Sequence, residues 1–98
     1  MIGAFVKFRY GERFDEPAVR RVAAGARGKF VGLPGLRSKV FTVNPAAHEA
    51  TNFYVWDSEE AARAFLNEAL IERVAELYGV RPTVEFVEIA TLVENAHA

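Results

Sequence analysis

Few residues of this chain have the type and placement to do chemistry. Asn52, Tyr54 and Trp56 alternate along the segment Thr51 to Trp56, so on an extended backbone an amide, a phenol and an indole share one face. Such a row can line a pocket for a flat aromatic ligand, or can serve as core or interface aromatics with their polar tips satisfied. Lys7 and Lys39 interrupt apolar, β-prone segments. In a pocket either lysine would partner an oxyanion or a carboxylate. On a plain sheet it would reach for an edge or pair with Glu85 or Glu88. His48 has a reference pKa of about 6.5 and is a candidate for proton transfer; as a loop residue it can equally be only polar. No Ser, Asp and His spacing completes a hydrolytic triad. His97 stands one residue from the end, in a tail (94–98) expected to be flexible.

What is missing narrows the chemistry further. There is no cysteine and there are two histidines, so neither a thiol nucleophile nor a thiolate metal site is available. Twelve basic residues nearly balance thirteen acidic ones, which argues against a dedicated nucleic-acid binder. Residues 4–8, AFVKF, match the end of an RNA-binding consensus, but its basic, glycine and aromatic opening is absent and the match lies on the first strand. No apolar run approaches the roughly 18–20 residues that span a bilayer, nor is there a signal-peptide pattern, so no membrane partner and a cytoplasmic location are expected.

These residues must be positioned by one domain of 98 residues. Residues 2–10 are β-prone, and Gly11-Glu12-Arg13 reads as a turn. Asp15 is placed to cap a helix whose stripe is Val19, Val22, Ala23, Ala26 and Phe30. Gly25 and Gly28 weaken that helix and are expected to allow a close approach to the sheet. Strands are expected over 36–44 and 51–56, with 45–50 as a loop. Asp57 and Glu60 have capping-box spacing before a helix from Ser58 to Tyr78, with a break near Leu70. Gly79 ends it, and a last strand is expected over 83–93. The order β-α-β-β-α-β predicts an α+β, ferredoxin-like fold with an antiparallel sheet and helices on one face.

Two further expectations follow. Apolar residues stand on both faces of the strands: Phe5 opposes Ile2, Val6 and Phe8, Val40 opposes Phe41, Phe53 and Val55 oppose Tyr54 and Trp56, and Val84 and Phe86 oppose Val87 and Ile89, whereas two helices can cover only one face. An apolar second face is expected to pack on another copy as a homodimer; the alternative is a face only half apolar. Residues 1–40 carry nine basic and three acidic residues, residues 41–98 three and ten. Arg20, Arg21, Arg27 and Lys29 of the first helix can therefore face Glu59, Glu60, Glu68, Glu72 and Glu76 of the second, or both sets can simply be solvated.

Over most of the chain, from Phe5 to Val93 and most clearly between Pro34 and Phe65, the sequence resembles the YdhR-type mono-oxygenases of the dimeric α+β barrel superfamily. The likeness rests on Pro34-Gly35-Leu36, Lys39, Asn44-Pro45, His48-Glu49-Ala50, Tyr54-Val55-Trp56 and Ser58-Glu59-Glu60-Ala61-Ala62. It implies a ferredoxin-like subunit whose open sheet face closes a barrel with a second copy. It also implies oxygenation, without a cofactor, of electron-rich phenols or anthrones, where the deprotonated substrate itself reduces dioxygen. Asn52, Tyr54 and Trp56 would then supply the cleft, Lys7 or Lys39 the oxyanion partner, and His48 the proton carrier. The other outcome is a non-catalytic homodimeric barrel that binds a small hydrophobic ligand. Thr51-Asn52 stands where the family commonly has two glycines, which alters pocket shape. No histidine lies between Ser58 and Tyr78, which counts against haem degradation.

Overall fold

The computed structural model describes residues 1–95; His97 and the last part of the tail lie outside them. Four strands form one antiparallel sheet: β1 (Ile2–Arg9), β2 (Leu36–Asn44), β3 (Glu49–Trp56) and β4 (Thr83–Glu88), in the spatial order β2-β3-β1-β4. The helices are α1 (Glu16–Phe30), α2 (Glu59–Phe65) and α3 (Glu68–Tyr78). This is the ferredoxin-like arrangement, with the second helix divided in two.

The strand pattern separates the two faces. Ile2, Ala4, Val6 and Phe8 of β1 are buried under the helices, across from Trp56, Tyr54, Asn52 and Ala50 of β3. Phe5, Lys7 and Arg9 point the other way. Gly3 does too, and it is there because a Cβ would meet the Phe53 ring and Val87 at 3.0 Å. Phe53 fills that space and packs on Phe5 with ring centroids 4.6 Å apart. Phe5 and Val40, on this uncovered face, are 37% and 52% exposed.

The helix ends follow side-chain capping. Asp15 Oδ1 accepts from the Ala18 N–H, as its position before Pro17 suggests. At the second helix the cap is Ser58, whose Oγ accepts from the Ala61 N–H. Asp57 does not cap; its carboxylate accepts from Arg37 Nε at 2.7 Å. The break falls at Leu66-Asn67 rather than at Leu70, because Asn67 caps α3 by accepting from the Leu70 N–H at 2.9 Å. Gly79 ends α3 in the left-handed conformation that costs glycine little.

Three expectations are corrected. β4 stops at Glu88 instead of running to Val93, since Glu88 pairs with Ile2, the first residue of its neighbour β1, and beyond it, among the described residues, only the Ile89 N–H finds Met1 O. β3 begins at Glu49, so the β2–β3 connection is a four-residue turn, 45–48. Gly25 and Gly28 permit no close approach: a Cβ on either would meet nothing within 4 Å. No residue of α1 is buried. Its apolar stripe is only partly buried, and it meets the sheet chiefly through Phe30, which packs on Phe41 and Tyr54.

Candidate functional site

The turn between β2 and β3 sets the register on which the site depends. With Asn44 opposite Glu49, Lys39 falls opposite Tyr54 and Phe41 opposite Asn52, all on the helix-covered face. A bulge between Leu36 and Ser38 adds one residue, Arg37, to β2, so Leu36 also faces the helices across from Trp56. Arg37 is held outside by Asp57.

Between this face and α1, α2 and α3 lies a cavity of about 280 Å³. Val6, Phe8, Leu66 and Ile71 form its buried floor, and Phe30, Tyr54 and Phe65 supply aromatic wall. Phe30 meets Tyr54 and Phe65 at centroid separations of 6.1 and 5.9 Å with steeply inclined planes, the edge-to-face geometry that aromatic quadrupoles favour. Lys39, Asn52 and Tyr54 all line this cavity.

Lys39 is the unusual group. Its Nζ lies 3.4 Å from the Phe30 ring centre, 4.2 Å from Phe41 and 4.3 Å from Tyr54. Among the described residues it makes no ion pair. Burial pulls its pKa down from 10.5 to about 7, while three ring faces favour the charged form. The amine is thus poised to exchange a proton near neutrality. Tyr54 moves the other way: burial, then the nearby Tyr78 phenol, raises it far above its ordinary value. It remains a neutral hydroxyl.

The remaining candidates lie elsewhere. Trp56 is 1% exposed and stands behind the wall, stacked on Tyr54 at 5.8 Å and against Phe65 at 5.3 Å; its indole N–H is buried without a partner. Lys7 is on the uncovered face and pairs at 3.6 Å with Glu49, not with Glu85 or Glu88. His48 closes the β2–β3 turn, about 20 Å along the strand from Tyr54 at about 3.3 Å per residue. Its φ is 55°, its ring stacks on Phe14, and its Nδ1–H donates to Gly11 O at 2.9 Å. The structure gives His48 a place in fixing the hairpin and does not bring it to Lys39.

Phe30 belongs to the cleft although the sequence presents it as a helix-stripe residue, and Phe65 and Tyr78, on α2 and α3, join it there. Their periodicity marks an inward face but cannot tell a packed core from a cavity wall. The facing of α1 basic residues against α2 and α3 acidic ones does not occur. Arg20 pairs with Glu16 at 2.9 Å, Arg63 with Glu59 at 2.8 Å, and Arg81 with Glu68. The first two are pairs within one helical turn. No helix is long and apolar enough to cross a membrane among the described residues. No three His, Cys, Asp or Glu side chains among them gather as a metal site would require.

Comparison with solved structures identifies the same fold. A monooxygenase from the gene ActVA-Orf6 of Streptomyces coelicolor, in complex with the ligand nanaomycin D, is similar over 97% of this chain and 92% of its own, with 20% identity and a TM-score of 0.66. The NE2512 protein of Nitrosomonas europaea, of unknown function, is similar over 98% of this chain and 95% of its own, with 22% identity and a TM-score of 0.73. A search of curated proteins finds no match. The family model described as "Putative mono-oxygenase ydhR" matches residues 4–89, from β1 to the end of β4, and the chain therefore belongs to the ydhR mono-oxygenase family.

Proposed function

We propose that this protein is a cofactor-independent mono-oxygenase of a small phenol- or anthrone-like substrate, and that the helix-side cleft is its active site. The observation that carries this is Lys39: an amine near its titration point, without a counter-ion, on the wall of an aromatic cavity. A base with a pKa close to the working pH is the most effective proton acceptor. The amine takes a proton from the substrate, and the resulting ammonium stabilises the enolate in a low-dielectric setting. The electron-rich enolate then reduces dioxygen. Overall a ring CH2 becomes C=O, one O2 is consumed and one water is released, so the substrate supplies all the electrons. Asn52 and the neutral Tyr54 hydroxyl are available to hold the substrate's oxygen.

Two copies of the chain pack through the uncovered face in this proposal. Phe5 and Val40, exposed on that face beside Phe53 and Val87, form the apolar patch that the second copy covers.

An oxygen electrode tests the activity with anthrone and no added cofactor. Uptake above the uncatalysed rate, rising with pH through about 7 and falling about a hundredfold or more in Lys39→Met, is expected. Uptake no faster than the uncatalysed rate at high protein concentration would overturn the proposal.

A further inference from the structure

The cleft carries a one-sided charge that neither the fold nor the proton transfer at Lys39 requires. Its lining includes three basic residues, Lys29, Lys39 and Arg73, and no acidic residue. Lys29, in the last turn of α1, and Arg73, in the middle of α3, are exposed, whereas the cavity floor is buried. They sit at the rim on the two helices that flank the opening. Of the other helix arginines, Arg20 and Arg63 are neutralised by carboxylates one turn away, while Arg21 and Arg27 of α1 are unpaired among the described residues but do not line the cleft. Lys29 and Arg73 make no ion pair among the described residues. The chain's net charge is −1, so this basic rim does not reflect a generally basic protein.

We infer that the ligand of this cleft is an aromatic carboxylate, with its flat ring against Phe30, Tyr54 and Phe65, its hydroxyl at Lys39 and its carboxylate at the rim between Lys29 and Arg73. The inference rests on the cleft being the substrate site and adds the acid group to the substrate's description. The deep amine receives the group that ionises during reaction. The rim cations hold a group that is ionised throughout, and so fix which end of the ring enters first. A guanidinium at the rim suits a carboxylate because its paired N–H donors match the two oxygens.

The test compares 2-naphthol with 6-hydroxy-2-naphthoate, which carries a carboxylate at the far end of the same ring. Binding is measured by titration calorimetry at low salt. The acid is expected to bind about five- to tenfold more tightly than the naphthol, the scale of two screened surface charges. In Lys29→Gln/Arg73→Gln that preference disappears while 2-naphthol binds as before. Each single variant loses part of the preference, which covers the case of a double variant that binds neither compound. Equal or weaker binding of the acid by the intact protein, or a preference that survives the double substitution, overturns the carboxylate assignment and leaves the cleft as a site for neutral aromatics. Failure of both compounds to bind overturns the assignment and the cleft reading together.

Discussion

Replacing Lys39 by methionine separates the cost of holding this amine from its usefulness. The fold lowers its pKa from 10.5 to about 7. At 1.36 kcal/mol per unit this corresponds to at most about 5 kcal/mol against the charged form. Lys39 is only partly buried, so solvent screening leaves roughly 1–2 kcal/mol. The sign follows from proton counting. Below about pH 7 the amine is charged both folded and unfolded, and the fold bears the whole cost. Between about 7 and 10.5 the unfolded chain holds a proton that the folded one has released, so stability rises with pH. Above that range the cost has gone. Urea denaturation of the intact protein, followed by the fluorescence of its single tryptophan at one fixed protein concentration, is expected to show stability climbing from pH 6 to pH 9.5. Lys39→Met keeps the length and apolar stem of the side chain. It is expected to be more stable than the parent by about 1–2 kcal/mol at pH 6, with the gap narrowing above pH 7 and closing only near pH 10.5. Parallel stability curves for the two proteins would show that the fold does not depress this amine, and would remove Lys39 as a base near neutrality.

Other perturbations probe the elements around the cleft. Phe5→Glu places a charge on the uncovered sheet face and is expected to reduce the mass by light scattering from twice 10.9 kDa to 10.9 kDa; a parent already at the lower mass refutes the homodimer. Gly28→Ala meets no neighbour and is expected to stabilise α1 by about 1 kcal/mol in thermal unfolding. Gly3→Ala presses on the Phe53 ring and Val87 at 3.0 Å and is expected to cost about 1–3 kcal/mol in the same measurement. His48→Ala removes the bond to Gly11 O from a residue at positive φ and is expected to cost about 1–2 kcal/mol, with oxygen uptake per folded molecule unchanged.

The strands were legible in the sequence because both faces of this sheet select β-prone residues, and the order of elements then left one fold. The helix break was less so. Leu66, Asn67 and Leu70 fit a continuous helix by period, and only the Asn67 side chain, turning back to the Leu70 N–H, divides it. Asn52 and Tyr54 were recognisable as a pair from their alternation alone. That Lys39 joins them, while Lys7 does not, depends on the β2–β3 register, which a four-residue turn and a bulge fix together. Neither has a strong local signature: the turn closes on a histidine at positive φ where glycine or asparagine is commoner. Trp56 shares the alternation of Asn52 and Tyr54 but is lost to the cleft because α2 closes over it: Phe65 lies against the indole, and a Cβ on Gly35 would meet Ala61 at 3.0 Å and the indole at 3.9 Å.

The unburied α1 has a kinetic consequence. A helix with two glycines and no fully buried side chain, anchored to the core chiefly at its last residue, Phe30, gains less from tertiary contact than the strands do, so the amides before Phe30 should open locally at less than the global unfolding free energy. The ladders of β1 and β3, the two central strands of the sheet, should exchange only with whole-molecule unfolding. Hydrogen exchange would then resolve the molecule into a durable sheet and a labile strap. A ring system too large for 280 Å³ would be admitted at the rate set by the strap, with no strain on the strands that hold Lys39 and Tyr54 in register.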